Sequence, residues 1–139
     1  MKTSSKFITL LMVVSVSFLF ILGNGAKAQT KAWPVPAGDK TMKSPVKLSD
    51  QAAIDNGKEL WAKHCKSCHG AKGLGDGPKA AALKTKVPSF ADAAFKSQTD
   101  GELFYKTSKG RDEMPAYDKK LPDANDRWGL VAYMRALSK

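Results

Sequence analysis

The chain has 139 residues, with 23 Lys and Arg against 13 Asp and Glu, a formal net charge of +10, two cysteines and two histidines. Such a length fits one small domain behind a leader, and so small a Cys and His pool supplies a tetrahedral zinc cage poorly. The basic balance would suit nucleic acid, but signs of export in the first residues favour acidic proteins or anionic membrane surfaces instead.

Lys2 and Lys6 form a basic n-region, and Phe7 to Leu22 is apolar apart from Thr and Ser. Ala26-Lys27-Ala28 then offers a small-x-small cleavage site, so residues 1–28 read as a signal peptide and Gln29 as the mature start. The apolar run falls short of the roughly 20 residues of a spanning helix. An uncleaved membrane anchor is the alternative, and no Cys follows that would carry a lipid. The expected location is periplasmic. Taking 28 residues and their 3 lysines from 139 leaves 111, with 20 basic side chains against 13 acidic ones, a net of +7.

Residues 29–48 hold Pro34, Pro36 and Pro45 among lysines and lack helical periodicity, which reads as an extended arm. Trp33 and Val35 are the residues that would tack it to the domain 49–139. Ser49, with Asp50 in the first turn, is the expected cap of a helix running to about His64. Ile54, Gly57, Leu60, Trp61 and His64 recur on one face of it. A helical Gly costs about 0.5–1 kcal/mol against Ala, so Gly57 points to a close helix crossing.

That helix leads into Cys65-Lys66-Ser67-Cys68-His69, the attachment signature of a c-type haem. Two thiols three positions apart lie on one side of a helical turn, where each can add to one porphyrin vinyl group. The adjacent imidazole is then delivered to the iron. A thioredoxin-like dithiol is the competing reading of Cys-x-x-Cys, but it expects a preceding strand and a βαβ context.

Gly70, Gly73, Gly75 and Gly77, with Asp76 and Pro78, mark a tight loop without the Gly-Lys-Ser/Thr ending of a phosphate cradle. Lys79 to Lys84 reads as a short helical turn and Val87-Pro88-Ser89-Phe90 as extended. The Pro88 carbonyl, or that of Pro78, is the expected acceptor for His69 Nδ1. Thr99-Asp100-Gly101-Glu102 is a capping box opening a helix to about Ser108, which Gly110 ends. A loop follows with Met114 just before Pro115. Asp123 is the expected cap of the last helix, which turns Leu130, Val131, Met134 and Leu137 inward with Tyr133 beside them. No strand, repeat or low-complexity tract stands out, so the fold class is all-α.

Over about residues 45–138 the sequence resembles the mono-haem class I cytochromes c, bacterial and exported. Gly57-x-x-x-Trp61-x-x-x-Cys65-x-x-Cys68-His69 is similar to the family's first helix and haem site, and Met114-Pro115-Ala116-Tyr117 to its distal loop. Arg127-Trp128-x-Leu130-x-x-Tyr133-x-Arg135-x-Leu137 resembles its closing helix. The resemblance implies a small cytochrome c fold, its terminal helices crossing and packed around one covalent haem c. It implies thioethers from Cys65 and Cys68, a proximal iron bond from His69 and a distal one from Met114. Gly57 would sit at the crossing against Leu130 and Tyr133. The arm before Pro45 lies outside the pattern. Among the other methionines of the mature chain, Met42 lies in the arm and Met134 is in phase with the last helix's core. Met114 is the one fixed in a loop by a rigid neighbour. Bis-His ligation by His64 is sterically disfavoured by its closeness to Cys65.

The function expected is electron carriage rather than enzymatic turnover, with no small-molecule substrate and no nucleic acid. Lys63, Lys66, Lys72, Lys79, Lys84, Lys86, Lys119 and Lys120 lie near the haem-bearing segments in sequence and would steer the protein to acidic docking surfaces. A membrane cytochrome complex and a terminal oxidase or reductase are the expected partners. A haem enzyme or gas sensor with a displaceable distal ligand is the first alternative. A cytochrome subunit bound in a dehydrogenase complex is the second.

Overall fold

Asp50 sets the start of the first long helix. Its carboxylate accepts from Ala52 N at 3.2 Å, capping α2 (Gln51–His64), defined here after the shorter α1 (Ala37–Lys40). The cap falls one residue later than expected because Asp50 N donates to Lys47 O at 2.9 Å, closing a turn that leaves Ser49 outside. A carboxylate also complements the helix N-terminus better than a hydroxyl does. The structure, a computed structural model, describes residues 32–139; the expected signal segment and cleavage site lie outside the described residues.

The remaining helices are α3 (Lys66–His69), α4 (Ala93–Lys96), α5 (Asp100–Lys109) and α6 (Ala124–Leu137), with a 3-10 turn at Ala80–Ala82. The described residues are therefore all-α; their sole β-bridge is the isolated pair Arg111 and Met114. Thr99 caps α5 through the expected box: Glu102 N donates to Thr99 Oγ1 at 3.1 Å, and Thr99 N donates back to Glu102 Oε2 at 2.8 Å. Asp123 caps α6 by accepting from Asn125 N at 2.8 Å.

Helices α2 and α6 cross with their backbones nearly touching. A Cβ on Gly57 would lie 1.9 Å from Gly129 O and 2.9 Å from Tyr133 Cβ. The crossing expected against Leu130 and Tyr133 is thus made against Gly129 and Tyr133, two glycines meeting face to face. Asn56 Nδ2 donates to Asp126 Oδ1 at 3.0 Å beside it. Leu130 instead joins Val131 at zero exposure in the core behind, where Phe104 stacks on Trp128 with centroids 4.2 Å apart.

The arm differs from a simple extended strand. Pro36 is extended at φ −55° and ψ 146°, then one helical turn, α1, follows, with Lys40 N donating to Pro36 O at 3.1 Å. Residues Trp33–Lys139 form one compact unit, so the arm packs with the domain. Thr99 Oγ1 donates to Lys40 O at 2.7 Å, and Gly101 leaves room for the arm, since a Cβ there would lie 2.0 Å from Asp39 O.

Candidate functional site

Cys65 ends α2 and begins α3: its N–H donates to Trp61 O at 2.9 Å while its carbonyl accepts from Cys68 N at 3.2 Å and His69 N at 3.0 Å. That tight turn carries both thiols and the imidazole, and both cysteines are free and half-buried. A four-residue helix leaves its last carbonyls without helical partners. The glycine-rich loop supplies them. Gly75 N donates to His69 O at 2.9 Å, Gly77 N to Cys68 O at 3.2 Å and Lys79 N to Ser67 O at 2.8 Å. Such close wrapping needs bare backbone, since a Cβ on Gly77 would meet Ser67 O at 2.5 Å. The loop is a backbone brace for the motif.

The imidazole of His69 stands against aromatic walls. Trp61 lies 5.6 Å and Phe90 5.5 Å from it by ring centroids, and Phe90 is stacked on Phe95 at 3.9 Å. Trp61 is fixed in turn by its indole N–H, which donates to Gly70 O at 3.0 Å. Burial pushes the His69 pKa down to about 4, so the ring is neutral at physiological pH, the form that binds a metal. Its Nδ1 is buried without a hydrogen-bond partner. The acceptor expected from Pro88 or Pro78 is not engaged. The Val87 carbonyl lies against Gly75 instead, 2.3 Å from where its Cβ would be, with the Pro88 carbonyl 3.4 Å from that point.

Burial, then the neighbouring Cys68, push the Cys65 thiol up to about 12. A reactive dithiol needs the opposite, a lowered pKa in an electropositive setting. No strand among the described residues precedes the motif, so the thioredoxin-like reading loses its context as well as its chemistry. Among the described residues no three His, Cys, Asp or Glu side chains group to hold a metal ion. A half-buried, neutral imidazole and two free thiols on one turn fit a haem c, which brings its own four nitrogens to the iron.

Met114 is half-buried in a four-residue turn. Arg111 N donates to Met114 O at 2.8 Å, Met114 N donates to Arg111 O at 2.9 Å, and Asp112 sits at φ 51° between them. Glu113 ties this turn to the chain before Phe90, accepting from Lys84 N at 3.1 Å and Thr85 N at 2.9 Å. The other described methionines lie elsewhere: Met42 is 37% exposed in the arm and Met134 is 6% exposed in the core of α6. His64 is packed, its ring edge-on to Tyr117 at 5.7 Å, while Tyr117 Oη donates to the His64 carbonyl at 2.8 Å.

The two backbone N–H groups hold the Glu113 carboxyl below its ordinary range. A lowered carboxylate pKa stabilises the fold above the ordinary range, and that contribution goes as pH falls through the folded value. Acid titration followed by NMR should therefore move the Lys84 and Thr85 amide signals together, below the pH at which an unbound Glu protonates. Amides that move at the ordinary carboxylate pH, or not at all, would dismiss this tether.

Fold and motif together define a c-type cytochrome domain with covalent haem c chemistry in electron transfer. Residues 52–134 match the model of the family described as cytochrome c oxidase, cbb3-type, subunit III, and the chain belongs to that family. Among solved structures, a chain of the Kuenenia stuttgartiensis reducing HAO-like protein complex aligns with a TM-score of 0.63 at 26% identity. The alignment covers 78% of this chain and 53% of that one, so this chain spans about half the length of that relative. No curated protein gives a significant match.

Trp61 stood out in sequence as part of an apolar face and of the family-like first helix, but its donor role toward Gly70 had no local signal. Phe95, which backs Phe90, lies in a single helical turn too short for periodicity to mark. Glu113 gave no sign of its bond to residues 84 and 85.

Proposed function

We propose that this chain is a periplasmic electron carrier holding one haem c, with Cys65 and Cys68 as the thioether donors, His69 as the proximal ligand and Met114 as the distal one. A haem iron filled at both axial positions supplies a one-electron couple without binding substrate. The observation that carries the reading is the half-buried imidazole of His69, set between Trp61 and Phe90 on the turn that bears both thiols. Those rings keep water from the imidazole and restrict its rotation, and the loop amides of Gly75, Gly77 and Lys79 stiffen the backbone beneath it. A rigid ligand set needs little rearrangement when an electron arrives or leaves.

All eight lysines named near the haem-bearing segments in sequence are exposed, and Leu74, in the loop after His69, is 46% exposed. Exposed positive charge of this kind favours fast, salt-sensitive docking on acidic partners. A membrane cytochrome complex as donor and a terminal oxidase or reductase as acceptor fit that surface. A second reading, a subunit resident in a complex, is favoured by the names of the family and of the solved relative, both of which describe parts of assemblies. Size-exclusion of native protein from its own cells separates the two: a free carrier elutes near the mass of one mature chain. The same material should begin at Gln29 if the signal is cleaved.

The test is expression with a haem-maturation system. The pigment should survive acid-acetone extraction, and the reduced protein should bind carbon monoxide slowly or not at all. Met114→Ala should lower the reduction potential and open the iron to carbon monoxide. Unchanged potential and unchanged carbon monoxide binding in that variant would reject Met114 and return attention to Met42 or His64. Pigment lost to organic solvent would end the haem c reading.

A further inference from the structure

No role attaches to the arm from sequence, yet its first ring reaches the turn that carries Met114. The guanidinium of Arg111 lies 4.5 Å above the centroid of Trp33, with Lys106 Nζ 5.7 Å away. Trp33 is half-buried, and Val35, two residues on, is only 8% exposed, so the ring is not on a loose tail. Farther along, the arm is fastened to the start of α5, where Thr99 Oγ1 donates to Lys40 O at 2.7 Å and Lys40 Nζ lies 3.7 Å from Glu102 Oε1. The segment from Trp33 to Lys40 is therefore anchored at both ends.

Arg111 is also the residue whose backbone exchanges both hydrogen bonds with Met114. What holds the Arg111 side chain therefore holds the turn. Its ion pair with Asp112, at 3.5 Å, lies within that turn, whereas Trp33 belongs to a different part of the chain. On the opposite side Glu113 grips the backbone at Lys84 and Thr85. The turn is thus gripped from two sides, by a carboxylate on two amides and by an aromatic face on a guanidinium.

We infer that Trp33 is a positioning residue for the distal face: by clamping Arg111 it keeps the Met114 turn in place, and the arm is the strap that carries it. The inference rests on Met114 as the distal ligand. Without the ring, the turn keeps its own two hydrogen bonds but loses a restraint on where it sits, and the thioether spends more time away from the iron. A cation–π contact partly shielded from water corresponds to an equilibrium factor of about two- to thirtyfold.

The measurement is the rate of carbon monoxide binding to the reduced holoprotein, made beside the weak red absorption band of a thioether on ferric iron. Trp33→Ala should bind carbon monoxide about two- to thirtyfold faster and lose part of that band. Trp33→Phe, which keeps an aromatic face for Arg111, should return both toward the parent. Arg111→Gln keeps the length of the side chain but not its charge and should behave as Trp33→Ala does; it decides the matter if Trp33→Ala fails to fold. Met114→Ala is measured alongside. If Met114→Ala speeds binding while Trp33→Ala and Arg111→Gln stay at the parent rate, even with lowered melting points, the clamp is overturned and the ligand stands. If Met114→Ala also leaves the rate unchanged, the ligand assignment falls and takes the clamp with it.

Discussion

His69→Ala should remove the low-spin absorption of the reduced protein, because no second imidazole is placed to take over. His64 is committed elsewhere, its ring against Tyr117 and its carbonyl bonded to Tyr117 Oη. The cysteines do not depend on the imidazole for position, since the loop amides hold the turn at Ser67 and Cys68 as well as at His69. Pigment that remains should therefore be covalently attached yet high-spin. The Trp61 and Phe90 rings would leave a slot shaped for a five-membered ring, so His69→Gly with added imidazole should regain the low-spin spectrum. Rescue separates a lost ligand from a collapsed fold. An unaltered low-spin spectrum in His69→Ala would defeat the proximal assignment.

Gly57→Ala should cost stability even though Ala is the better helix former. The propensity gain is about 1 kcal/mol. Against it, the new Cβ would lie 1.9 Å from the Gly129 carbonyl oxygen, and that atom is backbone, unable to swing aside as a side-chain tip would. The helices must separate, which loosens Trp61 against Tyr133 and thins the wall behind His69. Overpacking of this kind costs about 1–3 kcal/mol, and backbone contact argues for the upper end or beyond. A net loss of about 2 kcal/mol lowers the melting temperature by roughly 10 °C in a domain of this size. Gly38→Ala is the internal control, because nothing lies within 4 Å of its added Cβ, and it should be neutral or slightly stabilising. Equal melting of the Gly57→Ala variant and the parent by circular dichroism would show that the crossing tolerates a methyl group.

The long helices were legible because their ends are written in local chemistry. Thr99 with Glu102 is a two-way cap within four residues, and Asp123 needs only Asn125 to satisfy it. The Cys65–His69 turn was legible for the same reason, its whole logic lying inside five positions. Gly57 announced a close approach, but its partner did not. Gly129 is simply a glycine inside a helix until the fold brings it to Gly57, so Leu130 was the natural but mistaken neighbour. Single turns such as α1 and α4 have no room for a period of 3.6 residues. The grip of Trp33 on Arg111 joins positions 78 apart by an aromatic face and a cation, a pairing that no local pattern encodes. The expected partner of His69 Nδ1 is not engaged, and whether a carbonyl farther along the chain reaches the ring is set by tertiary packing that no local pattern encodes.

The bond from Asn56 to Asp126 spans 70 positions, and a stretch of chain about as long separates α2 from the surface of α6 that it rests on. During synthesis the sulfurs of Cys65 and Cys68 therefore leave the ribosome well before the last 14-residue helix exists to enclose their neighbourhood. For that interval they belong to an open peptide, accessible to whatever chemistry must reach them, and arrival of the C-terminal segment shuts the door.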